Sequence, residues 1–131
     1  MTIQYPKPDG AFTFLVEDVR PEQGNKATML GVMFGTDITL PNAQPGGVIP
    51  SLAFVTAFRD GLGTFGCRFK LTSPSGMILV DKQHTPITIS PTNAAVVVSM
   101  FKPFAVPEFG RYKYELYLDT QVYEYTCDLH S

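Results

Sequence analysis

The sequence predicts an all-β fold, a two-sheet antiparallel β-sandwich of about eight or nine strands. Apolar and polar residues alternate with a period of two along much of the chain, most clearly from residue 111 to residue 129. Turn-forming residues recur between these short runs. No stretch of about ten or more residues shows a helical repeat free of proline and glycine. Together these observations favour packed antiparallel sheets over a helical fold.

Length and composition predict one globular domain. The chain has 131 residues, 44% of them hydrophobic and 17% charged, which is enough to bury a core without disulfide support. Residues 1–10 contain two prolines, Pro6 and Pro8, and we expect them to form an N-terminal arm. Residues 11–131 are expected to form the single β-sandwich domain.

Charge and hydropathy argue against nucleic acid and membrane partners respectively. The net charge is −2 and the ten Lys and Arg residues are scattered, so we expect no nucleic acid partner. No window is apolar for long enough to cross a bilayer, and residues 1–10 lack the pattern of a secretory signal. We therefore predict a cytoplasmic protein with no membrane association. Cys67 and Cys127 are then expected to be reduced thiols in the core.

The first half of the chain predicts three strands and a long crossing. Residues 12–19 form the first strand, followed by a polar turn at residues 20–25. Residues 26–34 form the second, where Gly31 predicts a bulge or a close approach to another backbone. A short strand at residues 37–40 leads into residues 41–50, with three prolines and two glycines. A crossing of this length is typical of Greek-key sandwiches.

Residues 51–59 form the least polar strand. Leu52 and Phe54 lie on one face and Val55 on the other, so both faces need a cover. One cover is the second sheet, and a partner subunit is a candidate for the other. We therefore predict a homodimer through this strand, with an interaction surface at Leu52, Phe54 and Val55. Tyr117 is added to that surface because it falls on the polar face of its own strand.

The second half of the chain continues the strand pattern up to a closing hairpin. The predicted strands lie at residues 64–72, 77–80, 94–101, 112–118 and 123–129, and residues 87–89 are a candidate for a further short strand. Residues 81–91 are otherwise polar, and residues 102–109 form a loop with two prolines.

Tyr112 makes the fold prediction more specific. It follows Gly110 and Arg111 at the start of the penultimate strand. In immunoglobulin-like sandwiches a tyrosine at this place bonds to the backbone of the preceding corner. The simpler interpretation makes Tyr112 one more core aromatic. The predicted class is therefore an immunoglobulin-like, Greek-key sandwich.

Two candidate sites involve cysteine, and neither is favoured. Cys127 and His130 have the spacing of half a zinc site, which Cys67 and His84 would have to complete, but structural zinc sites usually show two tight pairs. Cys67 with His84 is also the only cysteine arrangement for nucleophilic catalysis. A core thiol has a raised pKa, the opposite of what a nucleophile needs. We predict no metal, no cofactor and no enzymatic activity.

Two further sites involve loops at the ends of the sandwich. Glu17, Asp18, Asp37 and Asp119 are candidate calcium ligands if the loops converge, but the favoured explanation is that they are solvated, or that Asp18 bonds to the backbone of the turn at residues 20–26. Tyr117, Phe104 and Phe109 are candidates for an aromatic platform for a sugar or peptide. A ligand-binding sandwich that uses residues 41–50 and 102–109, with calcium or carbohydrate as ligand, is the alternative function.

The order of short motifs along the chain resembles a group of small uncharacterised bacterial β-sandwich proteins. These motifs are Leu15-Val16-Glu17-Asp18-Val19-Arg20, Asn25-Lys26, Leu30-Gly31-Val32, Ile49-Pro50-Ser51-Leu52 and Phe109-Gly110-Arg111-Tyr112 with Leu118-Asp119. The chain departs from the group by its Asn25-Lys26 step, where glycine more usually precedes the lysine, and by its proline-rich arm. The resemblance implies a fold and no activity.

The sequence thus predicts a non-enzymatic interaction or structural module of unknown process. A phage or virion accessory role fits the same features.

Overall fold

A computed structural model describes residues 2–24, 26–40, 43–92 and 94–131. The fold is all-β, as predicted, with one short 3₁₀ turn at Pro8–Gly10. The strands are β1 (Ala11–Val16), β2 (Asp18–Glu22), β3 (Lys26–Leu30), β4 (Asp37–Thr39), β5 (Gly47–Ile49), β6 (Leu52–Phe58), β7 (Gly63–Thr72), β8 (Ile78–Ile89), β9 (Ala95–Phe101), β10 (Phe104–Val106), β11 (Gly110–Leu118) and β12 (Gln121–His130).

The strands form four sheets. A three-stranded sheet has the order β1-β6-β9, and a five-stranded sheet has the order β4-β12-β11-β7-β8. Two small sheets pair β2 with β3 and β5 with β10. All pairs are antiparallel except β4 with β12, which is parallel.

The two larger sheets share one hydrophobic core, an arrangement compatible with a sandwich. Phe54 of β6 stacks on Tyr114 of β11 with ring centroids 4.6 Å apart. Leu15 and Val97 come to the same core from the three-stranded sheet, and Leu116 comes from the five-stranded sheet. All five side chains are buried. Alternation along each strand directs every second side chain to this core.

The first predicted strand is interrupted at Glu17. β1 pairs with β6, whereas β2 leaves that sheet and pairs with β3. Gly31, with φ of +64°, permits the close approach, because a Cβ there would lie 2.5 Å from the Glu17 side chain. The predicted close approach of Gly31 to another backbone is confirmed by the hydrogen bond that its carbonyl oxygen accepts from the N–H of Glu17 at 3.3 Å.

The interruption places the β2–β3 hairpin over the outer face of the three-stranded sheet. Val19 and Met29 of the hairpin pack on a second cluster built from Val16, Ala53 and Val55. The hairpin therefore covers the part of this outer face around Val16, Ala53 and Val55, whereas Phe12 and Val96 at its other end are exposed.

The strand count exceeds the prediction because the first predicted strand is divided into β1 and β2 and because both proline-rich loops contribute a strand. β5 lies within predicted loop 41–50, β10 lies within predicted loop 102–109, and the two pair with each other. β8 continues to Ile89 through residues 81–86, which were predicted as polar loop. The parallel pair of β4 and β12 also departs from the fully antiparallel prediction.

The predicted hydrogen bond from Tyr112 to the backbone of the preceding corner is confirmed. The hydroxyl of Tyr112 donates to the carbonyl oxygen of Glu108 at 2.5 Å. The ring is fully buried. The bond therefore satisfies the buried hydroxyl and fixes the turn before β11.

The N-terminal arm lies against one end of the fold. Gln4 pairs with Leu62 through two backbone hydrogen bonds of 2.8 Å. The ring of Tyr5 packs on Phe65 at 5.1 Å, and its hydroxyl donates to Asp119. The hydroxyl of Tyr123 donates to the carbonyl oxygen of Pro6. Ring packing and hydrogen bonds thus hold the arm in place.

Three predicted features extend beyond the described residues. Pro41 and Asn42 of loop 41–50, Asn25 of the Asn25-Lys26 step and Met1 of the arm lie outside them. Within the described ranges, no helix is long and apolar enough to cross a membrane.

Candidate functional site

An apolar groove of about 920 Å³ opens along one side of the molecule, between the edges of the two larger sheets. Its walls come from β1, from residues 32–36 and from the start of β12. Phe34 is 88% exposed, Phe12 is 63% exposed and Val122 is 43% exposed. Clustered large apolar side chains in water are characteristic of a binding surface.

The edge of β12 along this groove is open. β4 pairs with β12 only from Asp128 to His130. The N–H of Asp128 donates outward to the carbonyl oxygen of Thr36 at 2.7 Å. Because alternate residues direct their backbone groups to opposite edges, Val122, Glu124 and Thr126 also direct theirs outward. In the described part of the chain, no strand pairs with these three residues on that side.

The edge of β1 is open in the same way. The carbonyl oxygen of Leu15 accepts an outward hydrogen bond from the N–H of Met33 at 2.8 Å. By the same alternation, Thr13 directs its backbone groups outward, whereas the N–H of Ala11 donates to the carbonyl oxygen of Pro8. β1 is the outer strand of its sheet, so the groove runs between two strand edges.

The chain's own backbone already pairs with both edges, through an isolated bridge at β1 and through the three-residue strand β4 at β12. The segment between β3 and β4 pairs with β1 at Met33 and then with β12 at Asp37. It crosses from β1 to β12 at one end of the groove. Beyond this crossing the apolar lining continues along both edges.

The opposite edge of the five-stranded sheet is protected. β8 carries Lys82 and Pro86 and has two register irregularities against β7. Lysine, proline and bulges are the usual means of blocking edge-to-edge pairing. Residues 121–126 contain neither lysine nor proline. Of these two sheet edges, only the β12 edge is suited to accept another strand.

Glu124 is the charged residue of the groove lining. It pairs directly with Glu115 of β11. Glu115 lies 3.6 Å from Lys70 and 4.0 Å from Lys113, whereas no ion pair involves Glu124 among the described side chains. An unpaired acid beside another acid favours a cation at the open edge.

Tyr125 joins the two walls. Its hydroxyl donates to the carbonyl oxygen of Gly35 at 3.2 Å. Burial raises the pKa of Tyr125 to about 12, so the phenol stays neutral and keeps its proton for this bond.

Comparison with known proteins assigns no family. No protein-family model matches the chain, and no curated protein matches it. The geometry of the groove is therefore the basis for a functional proposal.

Three of the four residues predicted as an interaction surface are inside the protein. Leu52 and Phe54 face the shared core, and Val55 lies under the β2–β3 hairpin, all with 0% exposure. The sequence pattern correctly indicated two covered faces, but the second cover is the chain's own hairpin. Leu52, Phe54 and Val55 therefore cannot form the contact surface of a homodimer.

Tyr117 lies on the outer face of the five-stranded sheet. The guanidinium of Arg68 sits 4.2 Å from its ring centroid, in a cation–π contact. The predicted platform with Phe104 and Phe109 does not form, because Phe104 is buried against Tyr112.

Of the predicted zinc and nucleophile residues, the structure brings together one pair, because Cys67 of β7 and His84 of β8 lie directly opposite each other. Cys127 and His130 are three apart on a strand, so Cys127 points into the core and His130 does not. Burial raises the pKa of Cys67 to about 11, as expected for a core thiol, and that of Cys127 to about 12. No group of three or more metal-ligating side chains occurs in the described ranges.

The predicted calcium ligands are separated and engaged elsewhere. Asp18 lies 3.0 Å from the Lys102 ammonium, and Asp37 lies 2.6 Å from His130. Asp119 accepts hydrogen bonds from Tyr5 and from the N–H of Gly66. Glu17 packs against Gly31. The acids therefore do not converge on one site.

The sequence prediction missed the groove. Its walls join Phe12, Phe34 and Val122, which are far apart in the chain. One local signal was present: Val122 is an apolar residue on the polar face of the closing hairpin.

Proposed function

We propose that this protein is a non-enzymatic interaction module that binds a segment of another protein in the groove between β1 and β12. The observation that carries the proposal is the exposure of Phe12, Phe34 and Val122 along two open strand edges. Burying such side chains on binding supplies the free energy of association.

Other features support three further parts of the proposal: a cytoplasmic location, the absence of a cysteine nucleophile and an immunoglobulin-like fold. Both cysteines are free, which fits a reducing, cytoplasmic location. Their buried thiols and raised pKa values fit a protein without a cysteine nucleophile. The Tyr112 bond fits an immunoglobulin-like Greek-key sandwich of the bacterial group that the sequence resembles.

The alternative function, binding of calcium or carbohydrate at the loops, has less support. Residues 46–49 and 104–106 are engaged in backbone pairing between β5 and β10. Glu108, the acid of this region, accepts a hydrogen bond from the Ser75 hydroxyl. An apolar groove with one carboxylate suits neither calcium nor a polar sugar.

The test is selection from a display library of random linear peptides. We expect peptides that bind the wild-type protein and lose about 2 kcal/mol of binding free energy on Phe34→Ser, the usual cost at an interface hot spot. Ile78→Ser is the matched control, because Ile78 is 56% exposed on the opposite sheet edge. Selected peptides should bind this control as they bind the wild type.

Two results would contradict the proposal. One is a selection that yields no binder above background. The other is a set of binders with equal affinity for wild type, Phe34→Ser and Ile78→Ser, which would place binding outside the groove.

A further inference from the structure

We propose that the bound segment is an extended strand of another protein that adds to the open edge of β12 and carries a basic residue opposite Glu124. This inference rests on the proposed function and specifies its partner. It follows from the hydrogen-bonding edge, the apolar lining and the charge of the groove, taken in turn.

The backbone sets the conformation of the partner. Val122, Glu124 and Thr126 direct N–H and C=O groups along an edge that no strand pairs with among the described residues. An extended segment satisfies these groups at the spacing of a sheet, whereas a helix has used its own backbone groups. The open edge is five residues long, about 17 Å at 3.3 Å per residue.

The lining sets the pattern of the partner's side chains. Tyr123 and Tyr125 of β12 point to the inner face of the sheet, and Phe12 and Phe34 line the same groove. Residues directly opposite in a sheet share a face. Side chains opposite the two tyrosines therefore enter the apolar groove, and those opposite Glu124 face solvent. The partner strand alternates apolar and polar residues.

The charge of the β12 edge favours a different protein over a second copy of this chain as the partner. Two β12 edges paired antiparallel around a twofold axis, in the register that uses all three outward residues, place Glu124 against Glu124. Like charges directly opposite destabilise a sheet, and each copy also carries Glu115 beside its Glu124. A lysine or arginine of another protein at this place is attracted instead.

The probe is a capped synthetic heptapeptide that alternates valine with threonine and has lysine at its central, outward position. We expect it to bind the full chain in isothermal titration calorimetry. Methylating the backbone nitrogens that face β12 should weaken binding at least tenfold, and methylating the alternate nitrogens should not. A methyl group removes one donor and adds bulk only at the paired edge.

Substitutions give a second, independent readout. Glu124→Pro removes an N–H that faces outward, not toward β11, so the fold should persist while affinity falls at least tenfold. Glu124→Lys should weaken binding of the lysine peptide about two- to fivefold, and a glutamate peptide should recover it. Ile78→Ser is the control expected to bind both peptides unchanged.

The outcomes separate this inference from the proposed function. Equal binding of both N-methylated peptide series, with loss on Phe34→Ser, overturns strand addition and retains the interaction function. A dimer in light scattering that Glu124→Pro dissociates makes a second copy the occupant and overturns the inference. Failure of the heptapeptide to bind overturns the inference too, and failure of the library selection in addition overturns the proposed function.

Discussion

At the scale of single residues, burial decides which polar groups are available for chemistry. Cys67 and Cys127 are 2% exposed, and their pKa values are raised to about 11 and about 12 because burial disfavours the thiolate. Both are core residues that pack between the sheets. Their chemistry is suppressed by the fold.

We predict that both thiols are inert in the native protein. At pH 8, a colorimetric disulfide reagent should react with neither thiol in buffer and with both in guanidinium chloride, because attack requires an accessible thiolate. Rapid reaction of one native thiol would show that its position is exposed.

Tyr112→Phe should lower the free energy of unfolding by about 1 kcal/mol, because it removes the hydroxyl and leaves the Glu108 carbonyl without this donor. Urea unfolding measures the change. Tyr117→Phe is the control, since its ring can still lie against Arg68. Equal stability of Tyr112→Phe and wild type would show that the Tyr112–Glu108 hydrogen bond does not stabilise the fold.

At the scale of secondary-structure elements, side-chain contacts hold short pieces onto the larger sheets. β4 has three residues and pairs with β12 in parallel. The Nε2 of His130 lies 2.6 Å from the Asp37 carboxylate. This contact joins the two strands beside the end of the groove.

The His130–Asp37 contact should depend on pH. The pKa of His130 is raised by its hydrogen bond to the Ser131 carbonyl and then by Asp37. A raised folded-state pKa means that the contact stabilises below the ordinary pKa of 6.5 and is lost as pH rises through the folded value. NMR titration should show a lower pKa for His130 in Asp37→Asn. An unchanged titration would mean that the carboxylate does not interact with the ring.

The β2–β3 hairpin should be essential as a cover. Val55→Asp places a charge without a partner under the hairpin and should cost about 3 kcal/mol or more. Val48→Asp is the matched control, because Val48 is exposed on β5 and its substitution should stay within about 0.5 kcal/mol. Thermal unfolding compares the two. Full stability of Val55→Asp would contradict the burial of this face.

At the scale of the whole molecule, local patterns predicted the strands, and long-range pairing determined the rest. The β11–β12 hairpin was predictable because its alternation is regular and its partner is adjacent in sequence. The interruption at Glu17 was not, because it involves close packing between Glu17 and Gly31, which lie on different strands of the predicted pattern. β5 and β10 were predicted as loops because prolines flank both.

The groove was beyond local prediction for the same reason. An open strand edge depends on which strands are neighbours, and single-sequence alternation reports only which face is buried. β8 shows a related limit of local prediction. Its residues from Asp81 to Gln83 form a strand, but they are exposed and polar, so the sequence shows no apolar alternation there.

Amide hydrogen exchange measured residue by residue tests the open β12 edge most directly. Without peptide, the amides of Val122, Glu124 and Thr126 should exchange rapidly, while those of Tyr123 and Tyr125, which face β11, are protected. Adding the lysine heptapeptide should protect the first three. Slow exchange of all five amides without peptide, or no added protection with bound peptide, would contradict strand addition at this edge.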